Sequence, residues 1–185
     1  RYEPPLNDAD GAVDALVTEM IKCMEKPFAF YGSGFGSWMC LALALELQAR
    51  GLPQPRHLFV KDPPNVSTAS SSDGNGTGEY PSVGASENAE LYDSLRAFVE
   101  NKTAGTDISC DATVLCPPGG TYCCDDVKGG GWNQWVSGKV ETTLLSSSSG
   151  GDKEDMLKEV DRVLGDDANK CRKESVLLVE RWNSG

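Results

Sequence analysis

The chain has 185 residues, of which 24% are charged, and its formal net charge is −11. This length fits one domain with a buried core. An acidic chain of this kind repels phosphate backbones and anionic membrane surfaces, so we expect no nucleic-acid partner. No apolar run approaches the roughly 20 residues that a membrane-spanning helix needs. The composition therefore predicts a soluble domain without a direct membrane span, and the sequence does not assign its cellular location.

The first third of the chain alternates helices with short apolar strands. Apolar residues of the first helix recur at i, i+3, i+4 and i+7, which is the pattern of a helix with one buried face. The elements predicted here are a helix at about 10–25, a strand at 28–31, a helix at about 36–50 and a strand at 57–61. The second helix is apolar nearly all round, and Gly51 closes it. A buried helix between two strands predicts a parallel α/β sheet.

The composition changes over residues 63–89, which are rich in Ser, Gly, Asn and Pro and predict a flexible loop. The elements predicted beyond it are a helix at about 87–100, a strand at 112–116, a helical start near Trp132, a strand at 141–145 and a helix that ends at Gly165. We assign residues 1–165 to one domain and residues 166–185 to a C-terminal extension.

A glycine-rich turn joins the strand at 28–31 to the buried helix. Its residues are Gly32, Ser33, Gly34, Phe35 and Gly36. A GxSxG turn at such a junction presents a serine nucleophile on a strained backbone in α/β-hydrolases. Gly34 occupies the central position of the motif here, so the turn has the form of a nucleophile elbow without the nucleophile.

Several stretches together resemble the type II thioesterases. They are Arg1 to Pro5, Pro27 to Ala29 before the turn, LELQARGLPQPRHLFV after it, LYDSLRAF at 91–98, ISCDATVL at 108–115 and SSGGD at 148–152. The resemblance implies an α/β-hydrolase-like, mostly parallel sheet flanked by helices. It also implies that the chain is truncated at its N-terminus, and that the loop at 63–89 replaces the lid helices and leaves a reduced lid.

The same resemblance implies a Ser-His-Asp triad, and each of its positions departs from the family pattern. Gly34 replaces the serine, and Asp152 stands at the expected histidine position. The strand expected to deliver the acid ends at Cys116 without an aligned carboxylate. His57 is the only histidine, and the family has a histidine at this strand start that is not a triad member. We therefore interpret His57 as structural.

Other polar residues and the cysteines are candidates for catalysis or ligand binding. Ser33 or Ser37 would be a poor nucleophile without a base, and Asp152 and Asp155 fit N-terminal capping of the last helix. A dinucleotide fingerprint would need glycine in place of Ser37, with Asp62 as the ribose-binding acid. The clustered cysteines lack the paired spacing of zinc sites, which favours core packing or a local disulfide; they are Cys110, Cys116, Cys123 and Cys124.

These patterns predict a catalytically inactive thioesterase-like domain that serves as a structural or interaction subunit. We expect protein partners, with the chain as an accessory subunit of a larger complex. We expect no cofactor, no metal and no small-molecule substrate. Two alternatives stay open: an acyl-thioester hydrolase or acyl-carrier-binding protein that uses non-standard residues, and a nucleotide-binding module.

Overall fold

A computed structural model describes residues 8–61, 89–102, 107–117, 131–145 and 152–165. The strands are β1 Phe30–Ser33, β2 His57–Lys61, β3 Asp111–Cys116 and β4 Val140–Leu144. The helices are α1 Ala9–Met20, α2 Phe35–Ala49, α3 Ala89–Lys102 and α4 Asp152–Leu164. Single 3-10 turns occur at Ile21–Cys23 and Trp132–Gln134. No helix in these ranges is long and apolar enough to cross a membrane.

The four strands form one parallel sheet in the order β1-β2-β3-β4. Ser33 at the end of β1 pairs with Lys61, and Lys61 pairs with Leu115 near the end of β3. The carboxyl ends of the strands therefore lie along one edge of the sheet. In open α/β sheets, ligands bind outside this edge, so the turn after β1 lies where a site is expected.

Helices cover both faces of the sheet. The larger core cluster packs α1, α2 and α3 on the face that carries Leu58, Val60, Ala112 and Val114. The smaller cluster packs α4 on the opposite face, against Phe59, Leu115 and Leu145. This division follows from the alternation of side chains along each strand. The prediction of a parallel sheet flanked by helices is confirmed.

The start of α1 is held by two side chains. Asp8 caps the helix, because its Oδ1 accepts the Gly11 N–H over 2.6 Å. Ser94 of α3 accepts the Ala9 N–H through its hydroxyl over 2.9 Å. Two of the amides that every helix N-terminus leaves unsatisfied therefore find acceptors, and α3 is fixed against the beginning of α1.

Most predicted elements are present, with shifted ends. The predicted strand at 57–61 matches β2. The predicted helix at 10–25 ends as an α-helix at Met20, and one 3-10 turn follows it. The strand predicted at 28–31 begins at Phe30 and runs into the turn. The helical start predicted near Trp132 is only a 3-10 turn. The predicted loop at 63–89, apart from its last residue, and the predicted extension at 166–185 lie outside the described residues.

Candidate functional site

The turn between β1 and α2, residues 32–36, is the elbow of this domain. Gly34 sits at its centre with φ 53° and ψ −119°. Its N–H donates to the Lys61 carbonyl over 2.9 Å, and its carbonyl accepts the Ser37 N–H over 3.0 Å. A positive φ is rare for residues other than glycine. The chain therefore keeps the strained backbone of a nucleophile elbow, and it places there a residue with no reactive atom.

The flanking glycines of the elbow differ in their surroundings. A Cβ atom added to Gly32 would stand 2.3 Å from the Gly36 carbonyl oxygen, whereas one added to Gly34 or Gly36 would meet no atom of the described residues within 4 Å. Gly32 is therefore required by the close approach of β1 to the first turn of α2. The positions of Gly34 and Gly36 are open, so steric crowding does not explain the absence of a side chain at Gly34.

Two serines lie near the elbow, and their surroundings differ. Ser37 is 0% exposed, and its hydroxyl donates to the Gly32 carbonyl over 3.2 Å. That hydroxyl is thus buried and used in closing the turn. Ser33 is exposed at the end of β1, but the chain's one histidine is not near it. Without a base within hydrogen-bond reach, a serine hydroxyl is a weak nucleophile.

His57 lies at the opposite end of the sheet from the elbow. It opens β2, four residues before Lys61, which pairs with Ser33. At the rise of a parallel strand this separates His57 from the elbow by about 13 Å. The ring is 6% exposed, shares a 2.8 Å hydrogen bond between Nε2 and Thr113 Oγ1, and contacts Phe59. Burial lowers the pKa of His57. His57 is therefore a core residue, as the sequence predicts.

The remaining triad positions lie at the ends of β3 and β4. β3 ends at Cys116, which is disulfide-bonded, and the described residues at this strand end offer no carboxylate. Asp152 is the first residue of α4, so this position lies at a helix N-terminus. Asp155 accepts a 3.2 Å hydrogen bond from Lys158 in the first turns of α4.

One group of hydrogen-bonded carboxylates lies between β4 and α4, away from the elbow. Glu159 accepts hydrogen bonds from Thr143 and Arg162, each over 2.9 Å, and Arg162 also donates to Glu141 over 2.9 Å. Ion pairs with Lys139 and Arg162 hold the pKa of Glu141 at about 2. The sequence did not predict this group, although the alternation of side chains along a strand places Glu141 and Thr143 on one face. The oxygens of Glu141 and Glu159 are therefore occupied by hydrogen bonds and ion pairs within this contact.

The sulfur and indole groups have structural surroundings. Cys110 and Cys40 are buried free thiols, and burial raises the pKa of each to about 12. Trp132 and Trp135 are buried, with ring centroids 5.8 Å apart. Within the ranges that the structure describes, no group of three or more His, Cys, Asp or Glu residues could hold a metal ion. Cys123 and Cys124 lie outside those ranges.

Sequence comparisons identify a family model and two relatives that match part of the chain. The model of the thioesterase domain family matches residues 1–102. The human medium-chain S-acyl fatty acid synthase thioesterase is 40% identical over 62 residues, which are 32% of this chain and 23% of that protein. The rat protein of the same name is 39% identical over 59 residues, which are 31% of this chain and 22% of that protein. The aligned part is thus less than a quarter of the length of either relative.

Structural comparisons extend the similarity over most of the chain. Human thioesterase 2 aligns with a TM-score of 0.58 and 20% identity, over 85% of this chain and 82% of that one. The type II thioesterase BorB from the borrelidin biosynthetic cluster aligns with a TM-score of 0.52 and 19% identity, over 92% of this chain and 73% of that one. At these identities the alignments establish the fold, which is α/β-hydrolase-like as predicted. Because the family model matches more than half of the chain, the chain belongs to the thioesterase domain family, and the sequence and structural matches together confirm its resemblance to the type II thioesterases.

Proposed function

We propose that this chain is a catalytically inactive member of the thioesterase family and that it acts as a structural or interaction subunit. The observation that carries the proposal is Gly34 at the centre of the elbow, with the backbone conformation of a nucleophile position and no side chain. A relative that hydrolyses an acyl thioester through this turn needs an oxygen nucleophile there. This chain has none.

The surroundings of Gly34 support the loss of catalysis. Serine hydrolysis needs a base that takes the hydroxyl proton and an acid that orients the base. His57 cannot supply the base, because it lies about 13 Å along the sheet from the elbow and is bonded to Thr113. The hydroxyl of Ser37 is buried and bonded to the Gly32 carbonyl. General-base assistance alone is worth roughly 100- to 10,000-fold in rate, so an unassisted serine would leave little turnover.

Steady-state assays with medium- and long-chain acyl thioesters test the inactivity. We expect no turnover above the buffer rate for the wild-type chain, and the same result for Ser33→Ala and Ser37→Ala. The control is a competent thioesterase assayed in parallel. Turnover by the wild-type chain that either serine variant abolishes would overturn the proposal.

The interaction role has its own test, because an inactive domain without a partner would also lack turnover. Native electrophoresis of the chain from its source cells is expected to show it in an assembly much larger than 20 kDa, the approximate mass of the chain. Depletion of the chain should then shift the other members of that assembly to smaller sizes. Migration at the mass of the free chain would contradict a subunit role.

A second candidate function is the binding of an acyl thioester without its hydrolysis. The observation that favours it is the open space at Gly34 and Gly36, where an added Cβ would meet no atom within 4 Å. Relatives named as S-acyl fatty acid synthase thioesterases make acyl thioesters the natural ligands to test. Native mass spectrometry with decanoyl-CoA would reveal a bound thioester, and a bulky Gly36→Leu substitution should remove it. An unchanged mass at high ligand concentration would exclude this candidate.

A further inference from the structure

The outer edge of β4 carries a further inference. Within the described ranges β4 pairs with β3 alone, so no described strand covers its other edge. Leu144 on this strand is 74% exposed, the largest value among the described large hydrophobic residues. Soluble proteins usually protect edge strands with Pro, Lys or a bulge, because a bare edge recruits another strand. Residues 140–144 read Val-Glu-Thr-Thr-Leu, with neither Pro nor Lys among them.

Two hydrogen bonds fix which backbone groups of β4 face outward. The Ala112 N–H donates to the Lys139 carbonyl over 2.9 Å, and the Leu145 N–H donates to the Cys116 carbonyl over 2.8 Å. Backbone groups alternate between the two sides along a strand, so the odd-numbered residues of β4 face β3. The groups that face outward belong to Val140, Thr142 and Leu144.

We propose that β4 pairs antiparallel with β4 of a second copy of this chain, about a two-fold axis at Thr142. This self-association goes beyond the proposed function and holds whether or not the domain hydrolyses thioesters. In antiparallel pairing, opposite residues that face each other exchange both N–H···O bonds. With Thr142 opposite Thr142 of the second copy, Val140 lies opposite Leu144. Every outward-facing backbone group of the strand then has a partner.

The side chains are self-complementary in the same register. Val140 of one copy lies beside the exposed Leu144 of the other, and such apolar cross-strand pairs stabilise a sheet. On the face that packs α4, Glu141 lies opposite Thr143, so no like charges meet directly. A shift by one residue would set groups that face β3 against the second copy, and a shift by two would leave Leu144 without its apolar partner. The axis at Thr142 is therefore the favoured register.

The strength of this pairing is set by its small size and by charge. One strand pair buries less surface than a standard interface, and each copy carries a formal net charge of −11. We expect a dissociation constant on the order of micromolar or weaker. Because salt screens the repulsion between the copies, dimerisation should strengthen when the ionic strength rises from about 0.01 to 0.15 M.

Sedimentation velocity over a broad concentration series tests the proposal. The wild-type chain should show a monomer–dimer equilibrium. Thr142→Pro removes the outward N–H at the axis and leaves the bonds to β3, so this variant should stay monomeric with an unchanged circular dichroism spectrum. Leu144→Lys should weaken the dimer at least tenfold. Ile21→Lys is the matched control, because Ile21 is 47% exposed far along the chain from β4, and it should dimerise like the wild type.

A covalent trap tests the register directly. The Cα atoms of a hydrogen-bonded antiparallel pair lie about 5.5 Å apart, within the range that a disulfide spans. Thr142→Cys in a Cys23→Ser background should therefore oxidise to a covalent dimer, and the Cys23→Ser chain alone should not. A wild-type chain that stays monomeric overturns the proposal and leaves the edge to a strand of another protein. Dimers that both β4 variants retain overturn it as well.

Discussion

The elbow and the contact between β4 and α4 differ in what their polar groups do. The elbow keeps a demanding backbone, with φ 53° at Gly34, and its central residue has no side chain. The β4–α4 contact has a dense set of hydrogen-bonded charges around Glu159 and Arg162. Backbone packing, as at Gly32 against the Gly36 carbonyl, is thus enough to maintain the shape of this turn without a side chain at Gly34. The hydrogen-bonded charges of the β4–α4 contact join the helix to the strand.

The largest effect should follow from breaking the close packing of the elbow. In Gly32→Ala the new Cβ would stand 2.3 Å from the Gly36 carbonyl oxygen, and backbone on both sides cannot yield cheaply. We expect a loss of about 3 kcal/mol or more in the free energy of unfolding, measured in urea. The matched control is Gly36→Ala, which meets no atom within 4 Å and should change stability by less than about 1 kcal/mol. Equal effects of the two substitutions would contradict the packing argument.

A serine in place of Gly34 should lower the free energy of unfolding by less than Gly32→Ala does, and we expect it to produce no hydrolysis. Gly34→Ser meets no atom, but it forces serine into φ 53°. We expect a loss of about 1–3 kcal/mol, the usual range for strained backbone conformations. Without a base the new hydroxyl should not hydrolyse acyl thioesters. Urea unfolding and an acyl-thioester assay on the same preparation measure both effects, and recovered hydrolysis would show that a base had been overlooked.

The charges between β4 and α4 should contribute a smaller amount. Glu159→Gln keeps the shape of the side chain and removes the charge that Arg162 contacts through Nε and Nη2. We expect a loss of about 1–2 kcal/mol in the free energy of unfolding. Glu154→Gln on an exposed position of the same helix is the control and should be neutral. If both variants behave alike, the charge network does not hold α4 in place.

The smallest effect concerns pH. Burial lowers the pKa of His57 from the ordinary value of 6.5, so the unfolded chain binds a proton more readily than the folded one. Stability is therefore full above pH 6.5 and falls as the pH drops through the folded pKa of His57. His57→Gln should remove this fall between pH 6.5 and about 5 in urea titrations. An unchanged pH profile in the variant would assign the fall to another group.

The sequence predicts well whatever depends on local pattern. The apolar α2, the strand at 57–61 and the position of the elbow follow from periodicity and from glycine spacing, and the structure confirms them. The structural role of His57 was expected from the resemblance, because the family has a histidine at this strand start that is not a triad member, and the residue is buried against Phe59. Gly34 could be placed at the centre of the elbow from the sequence, since the elbow motif is local.

What the sequence does not predict depends on contacts between distant residues. The sequence does not distinguish Gly32 from Gly36, since the crowding of Gly32 arises from the close approach of the Gly36 carbonyl across the turn. The bond of Thr143 to Glu159 joins a strand to a helix across 16 positions. The end of α1 at Met20 was also missed, because the apolar spacing continues through a 3-10 turn. Such features need the packed structure.

The most direct test of an elbow without a nucleophile is the intact mass of the chain after incubation with a fluorophosphonate, which reacts with activated serines. We predict an unmodified mass for the wild-type chain under conditions that fully label an active serine hydrolase. A stoichiometric adduct that maps to Ser33 or Ser37 would show that a serine beside Gly34 is activated, and it would contradict the inactivity proposed for this domain.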